Sequence, residues 1–365
     1  MLFGDQGNFV ILSPDKALDH HLYMTTTILE SITGNVCKNK LIHGAVFHLY
    51  SRERQIDSTS ACGNLKPDSR FYIASINKLF TSALTLRLVT ENRLQLSNKI
   101  TQYLPQIFWK DLVTINGRDF SGEITVQHLL SHTSGLPCYL IDKRPDGKKN
   151  MDFILRGEDQ AWPVGKVVSE VKKMKPKFAP GTPGKASYGE TNFRLLDEIL
   201  QQIQGKPIDE LYTEMFRELD MQDTEVLPSK SGTSYMPVYN KQNTVPLDKY
   251  FGSTHHDVAS SAKDLRRFLE AYFSGKFYAK EQLAELEVWN NVFFPFKYGI
   301  GLQRFYIPRI LSPFKAVPKI IGHCGSVGSI AFYVPEKSIY ITGTVNQTAN
   351  PSLVFRTMMK IIDKC

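Results

Sequence analysis

A serine and a lysine three residues apart are the first feature of this sequence that could do chemistry. Ser75 and Lys78 begin a segment, running to about Asn92, whose apolar residues predict a largely buried helix. Residues three apart lie on one helix face, so the hydroxyl and the amine would be neighbours. Burial and the positive potential of the helix N-terminus both favour a neutral amine that can accept a proton. Such a base can turn the serine into a nucleophile, although an N-cap serine followed by an ordinary helix lysine has the same spacing.

Three more polar motifs follow in order along the chain. They are LLSHTSGLP at residues 129–137, SYGETN at residues 187–192 and GHCGS at residues 322–326. Each motif alone is weak evidence for a family, whereas the set of motifs in this order is strong evidence.

Together with Ser75 and Lys78, this set resembles the serine β-lactamases and penicillin-binding D,D-peptidases of the class C type. That family also includes esterases and acyltransferases, and the resemblance covers about residues 42–362. It implies an α+β fold of the β-lactamase/transpeptidase type, in which an antiparallel sheet flanked by helices lies beside an all-helical lobe. The active site is then expected in the cleft between the two parts.

The resemblance also implies catalytic roles. Ser75 would be the nucleophile, Lys78 would activate it, and Tyr188 would pass the proton to the leaving group. A tyrosine titrates near pH 10, so this role requires nearby cations that hold its pKa down. Lys78 would be one such cation. His323 stands where many β-lactamases have a lysine, and would be either a second cation or a neutral hydrogen-bond donor.

The remaining site residues come from the same resemblance. The oxyanion hole would consist of the backbone N–H groups of Ser75 and Ser326. Glu190, Cys324 and Gly325 would contact the substrate. Cys324 could be a second reactive group, but a small filler is the better interpretation.

Two departures from the family pattern shift the expected activity. Glu190 occupies the position of an asparagine whose amide holds the acylamide side chain of β-lactams, and His323 replaces a permanent positive charge. Both favour an esterase or amidase that acts on small acyl substrates. The alternatives are a D,D-carboxypeptidase or β-lactamase, an acyltransferase, and a non-catalytic scaffold related to penicillin-binding proteins.

Other histidines do not indicate a metal site, and no organic cofactor is implied. His128 and His132 lie one helical turn apart without the glutamate of an H-E-x-x-H motif, which favours a structural role. The adjacent His255 and His256 have no partner at metal-ligand spacing and fit a polar loop better.

Strands predicted at both chain ends, with helices between them, indicate one domain over residues 1–365. Residues 1–70 and 290–365 would form the sheet lobe, and residues 71–289 the mostly helical lobe. The segment 298–305 is expected to be one strand.

Composition limits the partners and suggests a compartment. Hydrophobic residues make up 42% of the chain and the net charge is +8, while the lysine-rich run 172–177 lacks the interleaved aromatics of a nucleic-acid site. No segment reaches the roughly 18 apolar residues of a membrane span.

Five scattered cysteines and a start without a signal sequence favour a reduced cytoplasmic protein, although a trimmed export signal would be hidden. The expected partner is a small ester, amide or β-lactam-like molecule, and the oligomeric state is left open.

Overall fold

The computed structural model describes residues 2–3, 9–10, 14–158, 162–228, 232, 234–247 and 257–364, with side chains from residue 24 onward. His255, His256 and Cys365 lie outside these ranges, as does part of the loop between residues 225 and 256.

The central sheet has eight antiparallel strands contributed by both ends of the chain. In spatial order they are Asn290–Phe293, Phe296–Tyr298, Gln303–Phe305, Ile320–Gly325, Ser329–Val334, Ile339–Thr344, Gly44–Ser51 and Ile56–Gly63. The two ends meet where Ile339–Thr344 pairs with Gly44–Ser51 and places Thr344 opposite Val46. The expectation of one sheet built from both chain ends is therefore confirmed.

Helices cover both faces of this sheet. They are Pro14–Val36, Asn77–Thr90, Gln106–Trp109, Val126–Leu130, Asn150–Leu155, Val164–Lys172, Glu190–Gln204, Ile208–Glu218, Ala262–Phe273, Leu283–Leu286 and Ser352–Lys364. Successive strand residues point to opposite faces. Phe47 accordingly packs with the first and last of these helices, whereas its neighbour Val46 belongs to the core shared with the helical middle of the chain.

Short strands make up the remaining regular structure. Three of them, Phe71–Tyr72, Asp257–Ser260 and Glu225–Leu227, form a small sheet of their own. The others pair two by two as Leu2–Phe3 with Phe9–Val10, Thr114–Ile115 with Arg118–Asp119, and Tyr239–Asn240 with Asn243–Thr244. The small three-stranded sheet leads directly into the segment that carries Ser75.

The predicted strand at 298–305 is in fact two strands, Phe296–Tyr298 and Gln303–Phe305. The reason is the turn at Gly301, which has a φ of +69° and lies so close to Ser82 that a Cβ there would be 2.6 Å from the serine hydroxyl. Only glycine combines this backbone conformation with that approach. The turn presses the sheet edge against the helix that follows Ser75.

The expectation that all cysteines are reduced is wrong for one pair. Cys37, just after the helix Pro14–Val36, forms a disulfide with Cys62 in the strand Ile56–Gly63. The disulfide joins two elements that pack against each other. The spacing of the cysteines in the sequence does not predict it. Cys138 and Cys324 are free thiols.

We expect this disulfide to stabilise the native state by restricting the unfolded chain. Because 25 residues separate the two cysteines, a Cys37→Ser/Cys62→Ser double variant should lose about 3 kcal/mol of unfolding free energy. Urea denaturation of both proteins, with and without dithiothreitol, measures the difference. The reductant should shift the midpoint of the wild type and leave that of the double variant in place; equal shifts, or none, would contradict the pairing.

Across the described residues, no helix combines the length and apolar character needed to cross a lipid bilayer.

Candidate active site

Ser75 lies in a short 3-10 turn, Ala74–Ile76, immediately before the helix Asn77–Thr90. Ala74 has a φ of +50°, a conformation that costs a residue with a Cβ free energy and persists only when its surroundings impose it. Here the imposing contacts are on Ile73, whose N–H donates to Val258 O at 3.0 Å and whose carbonyl accepts from Ser329 Oγ at 2.8 Å. Two sheets thus hold the turn that presents the serine.

The Ser75 hydroxyl lies between a lysine and a glutamate. Lys78 Nζ donates to Ser75 Oγ at 3.1 Å, and Ser75 Oγ donates to Glu190 Oε1 at 3.0 Å. Lys78 Nζ also forms a short ion pair with the same carboxylate oxygen of Glu190. The lysine side chain is 1% exposed and that of the glutamate 22%. A buried ammonium needs such a counter-charge, and Glu190 supplies it.

Glu190 therefore has a role in the site that the sequence did not predict. It was expected to contact substrate, whereas its carboxylate forms hydrogen bonds with the serine and the lysine. The feature of the sequence that could have indicated this contact is the lysine in a buried helix, because a buried lysine requires an acidic partner. A glutamate that starts a predicted helix two residues after the tyrosine was a candidate for that partner.

The LLSHTSGLP run holds the segment that carries Tyr188 and Glu190. Nδ1 of the buried His132 accepts from the N–H of Gly189 at 3.3 Å and from the Asn192 amide at 3.0 Å. Burial, followed by the charge of Lys78, lowers the pKa of His132 well below its ordinary value, so the ring is neutral and can accept these bonds. His132 is thus a positioning residue, in line with the structural role predicted for it.

His128 also has a structural role. Its Nδ1 accepts from the Thr125 N–H at 3.2 Å, and its own N–H donates to Thr125 Oγ1 at the same distance, which caps the helix Val126–Leu130. Among the described residues, no three His, Cys, Asp or Glu side chains come together in a way that could hold a metal ion.

Tyr188 reaches the same centre with a protonated hydroxyl. Lys78 Nζ lies 5.4 Å from the centroid of the Tyr188 ring. The hydroxyl of Tyr188 is hydrogen-bonded to the side chain of Ser75. Desolvation, and then the negative charge of Glu190, raise the pKa of Tyr188 well above its ordinary value. The expectation that cations hold this pKa down is wrong, because burial of the hydroxyl and the nearby Glu190 carboxylate both raise it. Tyr188 is therefore a neutral phenol, which can donate a proton.

His323 is neutral as well. Its Nδ1 donates to the carbonyl of Cys324 at 2.7 Å, so Nε2 is left to accept from the hydroxyl of Tyr298 at 3.2 Å. Burial, and then the charge of Lys78, lower the pKa of His323 to about 3. Of the two roles considered for it, a second cation is excluded. The ring instead orients Tyr298, which packs beside Tyr188 with ring centroids 5.9 Å apart.

The strand Ile320–Gly325 brings Ser326 to the nucleophile. A Cβ on Gly325 would lie 2.3 Å from Ile73 O, so only glycine allows the strand to come this close to the turn before Ser75. Ser75 and Ser326 both line the same two cavities. This placement is compatible with the predicted oxyanion hole, which stays a prediction.

Cys324 has the properties of a filler. Burial raises the pKa of its thiol to about 12, and a protonated thiol is a poor nucleophile. Its N–H donates to Gln303 Oε1 at 3.1 Å, which fixes the strand beside the site.

Two cavities meet at Ser75. The larger, of about 880 Å³, extends past Tyr188 to the helix Ser352–Lys364; the smaller, of about 280 Å³, extends towards Tyr72 and Val245. Glu190 and Ser326 also line both of them. The nucleophile thus lies where two parts of one substrate could be held on different sides.

Fold and site together place this chain among the serine hydrolases that pair the nucleophile with a lysine. The β-lactamase family model matches residues 34–360, and the chain belongs to the β-lactamase family. This confirms both the family and the fold expected from the sequence.

Individual relatives in this family have different activities. D-alanyl-D-alanine-carboxypeptidase/endopeptidase AmpH of Escherichia coli (strain K12) is 27% identical over 324 residues, which cover 84% of this chain and 78% of that protein. Esterase EstB of Burkholderia gladioli is 30% identical over 100 residues, covering 27% of this chain and 24% of the esterase. The crystal structure of D-amino acid amidase from Ochrobactrum anthropi SV3 superposes with a TM-score of 0.73 at 19% identity, covering 93% of this chain and 98% of the amidase.

Proposed function

We propose that this serine hydrolase cleaves esters or amides of small acyl groups through an acyl-enzyme on Ser75. The observation that carries the proposal is the position of the Ser75 hydroxyl between the Lys78 ammonium and the Glu190 carboxylate, at the junction of two cavities. The serine hydroxyl donates its proton to the carboxylate and accepts a hydrogen bond from the ammonium. The carboxylate is therefore placed to take this proton when the oxygen attacks a substrate.

In the acylation step, Ser75 Oγ attacks the substrate carbonyl and gives its proton to Glu190, to which it already donates. Lys78 stays an ammonium and stabilises the negative charge that develops on Oγ. The backbone N–H groups of Ser75 and Ser326 would bind the oxyanion of the tetrahedral intermediate. Glu190 thus takes the role of proton acceptor that the sequence suggested for Lys78, and the amine of Lys78 acts as a fixed charge.

Tyr188 completes the step by protonating the leaving group. Its neutral hydroxyl supplies the proton that an alkoxide or amide anion needs on departure. The proton taken up by Glu190 then restores Tyr188, so the net transfer is from Ser75 to the leaving group. Water attacks the acyl-enzyme in the second half-reaction, and the acid is released.

A D,D-carboxypeptidase or β-lactamase is the second candidate, and the similarity to AmpH favours it. Two features of the site count against β-lactam turnover. Glu190 presents a carboxylate where an amide would hold the acylamide side chain, and neutral His323 offers no charge to a β-lactam carboxylate. An acyltransferase would use the same acyl-enzyme with a different acceptor.

Two measurements on the wild type separate these candidates. The esterase proposal predicts turnover of p-nitrophenyl butyrate that exceeds that of nitrocefin, and a butyryl adduct on Ser75 in mass spectra of the quenched reaction. Nitrocefin turnover above ester turnover would favour the β-lactamase candidate. An unmodified Ser75 together with no turnover of either substrate would favour a non-catalytic scaffold.

We also propose that the protein works in an oxidising compartment on a small-molecule substrate. The Cys37–Cys62 disulfide supports this location, because such pairs form and persist in extracellular or periplasmic surroundings. The cytoplasmic location suggested by the sequence depended in part on reduced cysteines.

A further inference from the structure

The two cavities that meet at Ser75 differ in size and character. The larger cavity, at about 880 Å³, lies in the upper part of the range for small-molecule sites. Its walls away from Ser75 are almost entirely apolar, with Phe294, Ile307 and Met359 among them. The smaller cavity, at about 280 Å³, has about a third of the volume of the larger cavity.

A chain of aromatic rings marks the course of the larger cavity. The ring of Tyr188 lies 5.7 Å from that of Phe293, and Phe293 lies 5.3 Å from Phe296. Phe296 in turn lies 5.2 Å from Phe355 on the last helix. All four line the cavity, which thus forms a continuous apolar path from the reacting centre to the C-terminal helix.

Part of this apolar surface faces water. Phe293 is 48% exposed and Phe294 is 66% exposed, although both line the cavity. Exposed phenylalanines beside a nucleophile are typical of a surface that a ligand covers. The charged residues that line this cavity from the last helix are Arg356 and Lys360.

Tyr188 identifies which part of the substrate enters this cavity. Its ring lines the larger cavity, whereas the lining of the smaller one, as far as the described residues define it, does not include Tyr188. A general acid must lie within hydrogen-bond reach of the atom that it protonates. The oxygen or nitrogen that departs from the substrate therefore lies on the side of the larger cavity.

We propose that the substrate is an ester or amide whose leaving group carries a long apolar chain, while its short acyl group occupies the smaller cavity. This inference rests on the proposed function, which assigns the reaction to Ser75 and Tyr188. In the step itself the bond from Ser75 Oγ to the carbonyl carbon forms and the bond to the alkyl oxygen breaks. The Ser75 proton passes to Glu190 and the Tyr188 proton to the departing oxygen. A long-chain alcohol then leaves along the aromatic path, and water releases the short acid.

Two isomeric esters test the proposal on the wild type. Octyl acetate and ethyl octanoate have the same formula, so they differ only in the side of the carbonyl that carries the chain. The release of acid is measured by titration at constant pH. The kcat/KM for octyl acetate should be at least tenfold higher than that for ethyl octanoate. Along ethyl, butyl, hexyl and octyl acetate, each added methylene should raise kcat/KM up to about fourfold.

A variant that fills the cavity tests the location. Ile307→Trp places a larger side chain in the wall of the larger cavity and should lower the kcat/KM ratio of octyl to ethyl acetate at least tenfold. The matched control is Ile107→Trp on the helix Gln106–Trp109, where Ile107 is 70% exposed and lines neither cavity. In this control the ratio should equal that of the wild type.

The possible failures are distinguishable. Preference for ethyl octanoate, with activity that depends on Ser75, would overturn the inference and leave the proposed function standing, because the cavity would then hold the acyl chain. A faster reaction with D-phenylalanine amide than with octyl acetate would overturn it in favour of a small polar leaving group. No hydrolysis of any ester or amide would overturn the proposed function together with the inference.

Discussion

Replacing Ser75 with alanine should lower the kcat for p-nitrophenyl butyrate by a factor of about 10³ to 10⁶. The alanine leaves no atom that can form the acyl-enzyme, while the cavities and the backbone N–H groups of the oxyanion hole are retained. A residual rate above that in water is expected from those groups alone. Stopped assays of p-nitrophenol release, with enough enzyme to measure slow turnover, give the ratio.

Ser82→Ala is the matched control for this variant. Ser82 lies on the helix Asn77–Thr90 that follows Ser75, is fully buried and lines neither cavity, and it donates to the carbonyl of Lys78 at 2.7 Å. Its loss removes one hydrogen bond without touching the reacting atoms, so activity should stay within a few-fold of the wild type. If Ser75→Ala kept more than about a tenth of the wild-type activity, a range far above the residual rates of nucleophile variants, another residue would have to be the nucleophile.

The local part of this site could be predicted from the sequence. Ser75 and Lys78 are neighbours because helical geometry places residues three apart on one face, and this requires no knowledge of the rest of the fold. The order of the four motifs then identified the family. The sheet was predictable for a similar reason, since strand signals at the two chain ends leave helices to fill the middle.

What the sequence could not provide depends on contacts between distant segments. Glu190 is 112 residues from Lys78, and their ion pair exists only because one helix starts where another has buried its lysine. The neutral state of Tyr188 follows from its burial and, next, from that same carboxylate. The Cys37–Cys62 pair likewise depends on the packing of a helix against a strand. The ion pair, the protonation state of the tyrosine and the disulfide are thus each determined by a tertiary contact, which a sequence motif does not show.

The larger cavity shows the same limit. Its walls come from a sheet edge near Phe293, a loop near Ile307 and the last helix near Phe355, which are brought together only by the fold. The sequence shows that these residues are apolar. It could not predict that they line one path to Tyr188, and this path is the basis for assigning the long chain to the leaving group.

Glu190→Gln should lower kcat for ester hydrolysis by about 10²- to 10⁴-fold, which is the contribution of a general base. Glutamine keeps the shape of the side chain but cannot take the Ser75 proton. An effect on kcat with little change in KM would identify a proton acceptor, whereas a change confined to KM would assign Glu190 to substrate binding, the role first expected for it. Glu190→Asp keeps the carboxylate on a shorter stem and should recover part of the lost kcat.

Two comparisons exclude a purely structural effect. Removing the partner of a buried ammonium is expected to cost stability, so the thermal midpoint of each variant must be measured beside its kcat. Glu198→Gln is the matched control, because Glu198 lies on the same helix and bonds only to nearby glutamines in the described part of the chain. If Glu190→Gln stays folded and keeps its kcat within tenfold of the wild type, below the range for a general base, Lys78 would have to be the base. Glu190 would then serve only to balance its charge.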